Sequence, residues 1–382
     1  MRWTKVSSAA PRARRGAALL LALTSLLAGP LAACAPRPGP EVLTTVPGVP
    51  GAKVVTVEVA TTRQREAPDS NVFTARRARE TGYAAFRVSL PPNHQPGRIE
   101  WPTGTPDPAT SFAILDQSVQ TRQAFLRATA NARGPVTVFV HGYNYNFQES
   151  LFRLAQLAAD ANVGGVPVLF AWPSEAKLEG YAADRESVAY SRDALVELLT
   201  ELAREPGTGK ITVLGHSMGG WLVAEAVRQL RLMGRNAVIA RLDVVLAAPD
   251  IDVDVFRAQL AVIGRLSPPL TLLVSRDDVA LSLSGRISGD RPRVGALDVD
   301  DPRVQEAAAK AGVQVVDISS LKASDGFNHD RFTELAALYP RLESGAHERG
   351  RDVRQAGAFI FNAVGTTVSA PFGVVGRAIA GE

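Results

Sequence analysis

Ser217 sits at the centre of Gly215-His-Ser-Met-Gly219, and a serine with glycine two residues away on both sides is a pattern suited to nucleophilic attack. The glycines permit a tight strand-to-helix turn in which a Cβ would clash, and that turn pushes the serine Oγ outward. A plain helix cap would also use serine, but it does not require both glycines. The hydroxyl needs a base to take its proton, and the base needs a carboxylate to fix its tautomer. The chain has five histidines. On a nucleophile elbow the partners follow in the order acid, then histidine, which sets aside His94, His141 and His216. His329, in the polar turn Ser324-Asp-Gly-Phe-Asn-His-Asp330 after a Val-rich run, is preferred to His347, which lies in a charged run with no strand before it.

Two carboxylates compete as the acid. Asp278 follows the run Leu270 to Ser275, and Asp250 follows the run Leu242 to Ala248, so both stand where a strand's carboxyl end delivers groups to a ligand. Asp278 is preferred because it is one strand closer to the histidine, with Asp250 kept as the alternative. A developing oxyanion needs two N–H donors, for which the backbones of Met218 and of Tyr143, in His141-Gly-Tyr-Asn144, are the candidates. His141 itself is expected to brace that loop. Trp172 and Tyr181 are candidates for a substrate pocket, and Asp184 in Asp184-Arg-Glu-Ser187 reads as the start of a helix.

The elements that must carry these groups alternate. Strands are predicted at Val136 to Val140, Val166 to Trp172, Ile211 to the elbow, Leu242 to Ala248, Leu270 to Ser275 and Val313 to Ile318. Helices are predicted at Phe147 to Ala161, Arg185 to Ala203, after Ser217, and near Val279 to Ile287. Short apolar strands interleaved with amphipathic helices predict an α/β fold with a mostly parallel, doubly wound sheet covered on both faces. Val54 to Thr61, Ala85 to Leu90 and Phe112-Ala-Ile-Leu form an N-terminal β extension, residues 53–134, packed on a core of residues 135–345.

Val-Phe-Val-His-Gly-Tyr-Asn (138–144), Phe-Ala-Trp-Pro-Ser (170–174), Asp-Arg-Glu-Ser (184–187), Gly-His-Ser-Met-Gly (215–219), Ala-Ala-Pro-Asp-Ile-Asp (247–252) and Ser-Arg-Asp-Asp-Val-Ala-Leu (275–281) occur in one order. Together they resemble a bacterial alpha/beta-hydrolase family of the esterase/lipase superfamily whose function is unassigned. The resemblance covers about residues 53 to 335. It implies the alpha/beta-hydrolase fold and places Ser217, Asp278 and His329 at the family's triad positions. It implies no substrate. Together with the residues, it leads to the expectation of a serine hydrolase acting on carboxylic esters through an acyl-enzyme, with small-molecule or lipid esters as partners. An acyltransferase using the same triad and a non-catalytic envelope-binding lipoprotein are the alternatives.

The chain's start points to a membrane. Arg2, Lys5, Arg12, Arg14 and Arg15 precede an apolar run and Leu31-Ala-Ala-Cys34, so residues 1–33 read as a signal peptide. The cleavage region resembles a bacterial lipobox, with Cys34, the sole cysteine, as the acylated N-terminus and the cell envelope as the address. Removing those five basic residues takes the formal charge from +4 to −1, so the high calculated pI is no argument for nucleic acid. Residues 34–52, rich in Pro and Gly, are expected to be an extended tether, with order starting near Lys53. Residues 346–382 are expected to be an apolar Gly-rich tail; its uncharged stretch Ala356 to Gly376 is a candidate for membrane contact, but the Gly and Pro there favour a tail that docks on the domain or stays disordered. No metal or organic cofactor is predicted. No histidine pair has ligand spacing, the Asp250/Asp252/Asp254 run lacks the glycine and glutamate of a calcium loop, and Gly207-Thr-Gly-Lys210 lacks the rest of a P-loop.

Overall fold

A computed structural model describes residues 37–131, 134–162, 165–336 and 359–361. The compact unit runs from Pro40 onward. Its strands are β1 (Lys53–Arg65), β2 (Phe73–Leu90), β3 (Ala113–Gln120), β4 (Val136–Val140), β5 (Val166–Ala171), β6 (Ile211–His216), β7 (Leu242–Ala247), β8 (Thr271–Val274), β9 (Gln314–Asp317) and β10 (Phe359–Phe361). Its α-helices are α1 (Arg122–Asn131), α2 (Phe147–Ala161), α3 (Tyr181–Arg204), α4 (Met218–Leu232), α5 (Asn236–Ile239), α6 (Val253–Ile263), α7 (Val279–Ile287) and α8 (Pro302–Ala311). No described helix is long and apolar enough to cross a membrane.

The ten strands of the described residues form one sheet in the order β10-β9-β8-β7-β6-β4-β5-β1-β2-β3. The middle of it is parallel, from β9 through β5 to β1. Side chains of successive residues leave a strand on opposite faces. Val138 and Val140 of β4 therefore enter one apolar core with Leu195 of α3 and Leu222 of α4, while Phe139 between them enters the other with Leu151 and Phe152 of α2. Continuous Val/Leu runs arise because both faces of these strands are covered. After β4 the chain turns one way through α2 to β5, then returns through α3 to place β6 on β4's other flank. The carboxyl ends of β4 and β6 thus flank the point where strand order reverses, the usual ligand crevice of such a sheet.

Three expectations need correction. The N-terminal extension does not pack on the sheet but continues it: β1 pairs parallel with β5, and β2 and β3 follow antiparallel. The expected tether is partly built into the domain, since Pro40–Leu43 is a 3-10 turn that buries Val42 and Leu43, and the Val46 amide donates to the Ile114 carbonyl. Two apolar side chains with a core to enter outweigh the Pro/Gly composition around them. Within the expected tail, β10 pairs antiparallel with β9, so that part is an edge strand. The expected signal peptide, Cys34, His347 and the rest of the expected tail lie outside the described residues.

Candidate active site

Ser217 joins β6 to α4 with φ 54° and ψ −122°, a conformation that an L-residue holds only under constraint. The constraint is visible. The Ser217 amide donates to the Ala247 carbonyl (2.9 Å), and its own carbonyl accepts from Gly220 (2.9 Å) and Asp250 (3.1 Å). A Cβ on Gly219 would overlap the carbonyl oxygens of Val140 and His141, and one on Gly215 would come within 2.8 Å of Gly219 O. The elbow is glycine-bound because α4 is pressed directly against the end of β4.

The loop after β4 is equally close. A Cβ on Gly142 would meet Ser217 Cβ at 2.9 Å, so the backbone leading into Tyr143 runs alongside the serine. His141 is buried behind this loop with its Nδ1 2.9 Å from Gly142 O and Nε2 3.1 Å from Trp172 O. Burial, helped by the nearby Arg63 charge, lowers its pKa to about 3, so it is a neutral brace. Trp172, expected to wall a pocket, is fully buried instead. It stacks on His141 with ring centroids 4.8 Å apart and donates Nε1–H to His141 O (2.7 Å). Tyr181 is nearly buried, its hydroxyl donating to Asp250 (2.9 Å) and its ring edge-on to Tyr143 at 5.3 Å.

His329 and Asp278 meet. Nδ1 of His329 lies 2.6 Å from Asp278 Oδ2, and the carboxylate is fully buried while its Oδ1 caps α7 by accepting from Leu281 N (2.9 Å). The His329 ring packs 4.7 Å from that of His216, the residue before Ser217, and its carbonyl is 3.3 Å from His216 Nε2. Nε2 of His329 makes no hydrogen bond to a described residue, Ser217 Oγ included; such contacts are often long before substrate arrives. Burial alone would depress the His329 pKa, but the Asp278 hydrogen bond and charge, with Asp325 and Asp250 beyond, together hold it above the ordinary value. His216 is pushed well below by burial, and next by the charge of His329.

The histidine loop is fastened from several sides. Asp277, adjacent in sequence to Asp278, points away from it to pair with Arg331, whose hydrogen bond lowers the Asp277 pKa to about 2. Asp325 accepts from the His329 amide (3.0 Å), and the Val279 amide donates to Phe327 O (2.9 Å). Asp250 takes a different position from the one an acid would need. Its carboxylate accepts from Tyr181 and from Ser284 Oγ (2.7 Å) and lies 3.1 Å from Arg293 Nε, a buried network with no histidine hydrogen-bonded to it.

Residues 118–345 match the model of a family described as alpha/beta hydrolase of unknown function (DUF900). The chain belongs to that family. An uncharacterised protein, alr1448, of Nostoc sp. (strain PCC 7120) is 38% identical over 61 residues, a match spanning 16% of this chain and 16% of that protein. Among solved structures, a fungal esterase from Rhizomucor miehei is similar at 16% identity and TM-score 0.36, covering 75% of this chain and 82% of that one. The Pyrobaculum calidifontis esterase is similar at 15% identity and TM-score 0.23, covering 55% and 68%. Likeness at this level carries no activity across.

In this alpha/beta hydrolase the fold gathers Ser217, Gly142-Tyr143, His329 and Asp278 at one end of the sheet. It sends Asp250 to a separate network and Trp172 to the interior. Asp184, expected to start a helix, sits inside the first turn of α3, which begins earlier at Tyr181 with no side-chain cap. Its carboxylate reaches back to the loops after β4 and β5. The spacing of Asp184 from Trp172-Pro-Ser174 carried no signal of this, because the contact depends on how α3 folds back.

Proposed function

We propose that this alpha/beta hydrolase is a serine hydrolase of carboxylic esters that works through an acyl-enzyme. The observation that supports it most is the 2.6 Å bond between His329 Nδ1 and a fully buried Asp278, on a histidine packed against the strained elbow of Ser217. In this reading Nε2 of His329 takes the Ser217 proton as Oγ attacks the ester carbonyl, and Asp278 stabilises the imidazolium. The amides of Met218 and Tyr143 receive the oxyanion, and His329 returns the proton to the departing alkoxide. Water then repeats the sequence on the acyl-serine. A fluorophosphonate probe should label the wild-type chain and fail on Ser217→Ala; labelling that survives the substitution overturns the nucleophile, and a folded wild type that is never labelled favours a binding role.

The proposal includes the address. Cleavage before Cys34 and acylation of that residue would hold the hydrolase at the cell-envelope membrane, which suits an exported chain with a single cysteine. Metabolic labelling with an alkyne fatty acid should tag the wild type and not Cys34→Ser, and equal tagging of both would refute the anchor.

A further inference from the structure

We propose that Asp184 and Arg63 are positioning residues that grip the oxyanion loop; the inference deepens the serine-hydrolase reading and rests on it. Asp184 has no exposed surface, and the described residues give its carboxylate three donors. Oδ2 accepts from Ser174 Oγ (2.6 Å) and the Asn144 amide (3.3 Å), and Oδ1 accepts from the Glu175 amide (2.7 Å). Helix α3 therefore ties the loop after β4 to the loop after β5 through one anionic group. Charge-assisted bonds of this kind hold geometry more firmly than neutral ones.

Arg63 approaches the same loop from the N-terminal extension. The β1–β2 register shifts between Thr61 and Arg63, and again between Arg63 and Arg65. Irregularities of that kind re-aim side chains beside functional sites. Arg63 is 2% exposed, and its guanidinium donates to Tyr145 O (2.8 Å). A cation buried to this degree persists only with opposite charge nearby. Burial lowers its pKa to about 10, and the charges of Asp184, Glu149 and Glu175 act against that fall.

The grip takes hold of two successive residues. Asn144 is held at φ 61°, its amide on Asp184, and the carbonyl of the following residue, Tyr145, is on Arg63. Asn146 closes the loop with a capping box to Glu149. On the other side Gly142 O is 2.9 Å from the neutral His141 ring. The amide between these anchors, Tyr143 N, is the one assigned to the oxyanion. A donor fixed before the charge develops stabilises the transition state without reorganising, and displacement by about 1 Å can cost about 100-fold in rate.

The test uses the full-length chain with Asp184→Asn, which keeps shape but loses the charge and one acceptor, and Arg63→Lys, which keeps charge but loses the fork. In Asp184→Asn, amide hydrogen exchange over residues 141–146 should rise at least about tenfold while exchange in β6 stays unchanged. kcat on a p-nitrophenyl ester should fall by about 10- to 100-fold with KM within about twofold, and affinity for an alkyl boronic acid should fall in step with kcat/KM. Arg63→Lys should lie between the wild type and Asp184→Asn on each readout. If Asp184→Asn does not fold, Ser174→Ala, which removes one of its donors, should show the same pattern at smaller size. Unchanged loop exchange in a folded variant overturns the grip. Faster loop exchange with kcat intact overturns its catalytic purpose and the Tyr143 donor with it. Failure of the fluorophosphonate to label wild type sinks the hydrolase reading separately, since the exchange result does not depend on turnover.

Discussion

Among the described residues, two histidines are bound to carboxylates, and they are wired differently. His94, in the N-terminal extension, has Nδ1 2.7 Å from Glu100 and Nε2 2.9 Å from Asp160 at the end of α2. His329 has Nδ1 2.6 Å from Asp278 and Nε2 without a hydrogen bond to any described residue. Burial would lower the pKa of each, and in each the carboxylates raise it by more. The difference is what remains to be spent. With both nitrogens on carboxylates, His94 is a clasp that fastens the 91–101 loop to α2. With one nitrogen left, His329 can take a proton.

Breaking the two clusters should therefore have unlike consequences. The largest effect is expected from Asp278→Asn, which should lower kcat/KM by about 10⁴-fold through loss of the tautomer and of imidazolium stabilisation. Asp160→Asn at the other histidine should leave kcat/KM within about twofold, and steady-state assays on one ester compare them directly. Asp250→Asn should keep at least about a tenth of kcat/KM but lower stability by about 3 kcal/mol, because Arg293 is left buried beside a neutral group. Urea unfolding beside the same assay separates the two effects, and activity lost only in Asp250→Asn would make Asp250 the acid.

Proton linkage sharpens the contrast. As a base, His329 acts deprotonated, so kcat/KM should rise with pH on a limb centred above the ordinary histidine value of about 6.5; a limb centred below it would contradict the Asp278 pairing. For His94 the readout is stability. Its folded pKa is raised, so its contribution is complete below the unfolded value of about 6.5 and is lost as pH rises through the folded pKa. The smallest effect is thus a difference of about 1–2 kcal/mol between wild type and His94→Gln at pH 6, shrinking by pH 9. Denaturant titrations at the two pH values measure it.

What the sequence disclosed follows from how local each signal is. The elbow was legible because its glycines report clashes within a few residues, and the buried strands because unbroken Val/Leu runs need two covered faces. The meeting of His329 with Asp278 followed from strand order. Asp184 was misread because a carboxylate in the first turn of a helix resembles a cap, and only the fold-back of α3 gives it Ser174 and Asn144 as partners. α6 and α8 went unread although Asp252 and Asp301 cap them and Pro302 opens the second. Asp252 was weighed within a calcium-loop run rather than as a helix start, and Asp301 was not weighed. The outer part of the β1–β2 hairpin was hidden by Arg76, Arg77 and Arg79, which break the apolar alternation on a solvent-facing edge. Docking of Val42 and Leu43 depended on a surface made by residues far away in the chain.

The most direct test is to quench the reaction with a p-nitrophenyl ester in acid and map the acyl group by peptide mass spectrometry. One acyl group per chain on Ser217, accumulating in a burst and absent in Ser217→Ala, is the predicted result. Wild-type turnover by Ser217→Ala, or an acyl group resting on another residue, would contradict it.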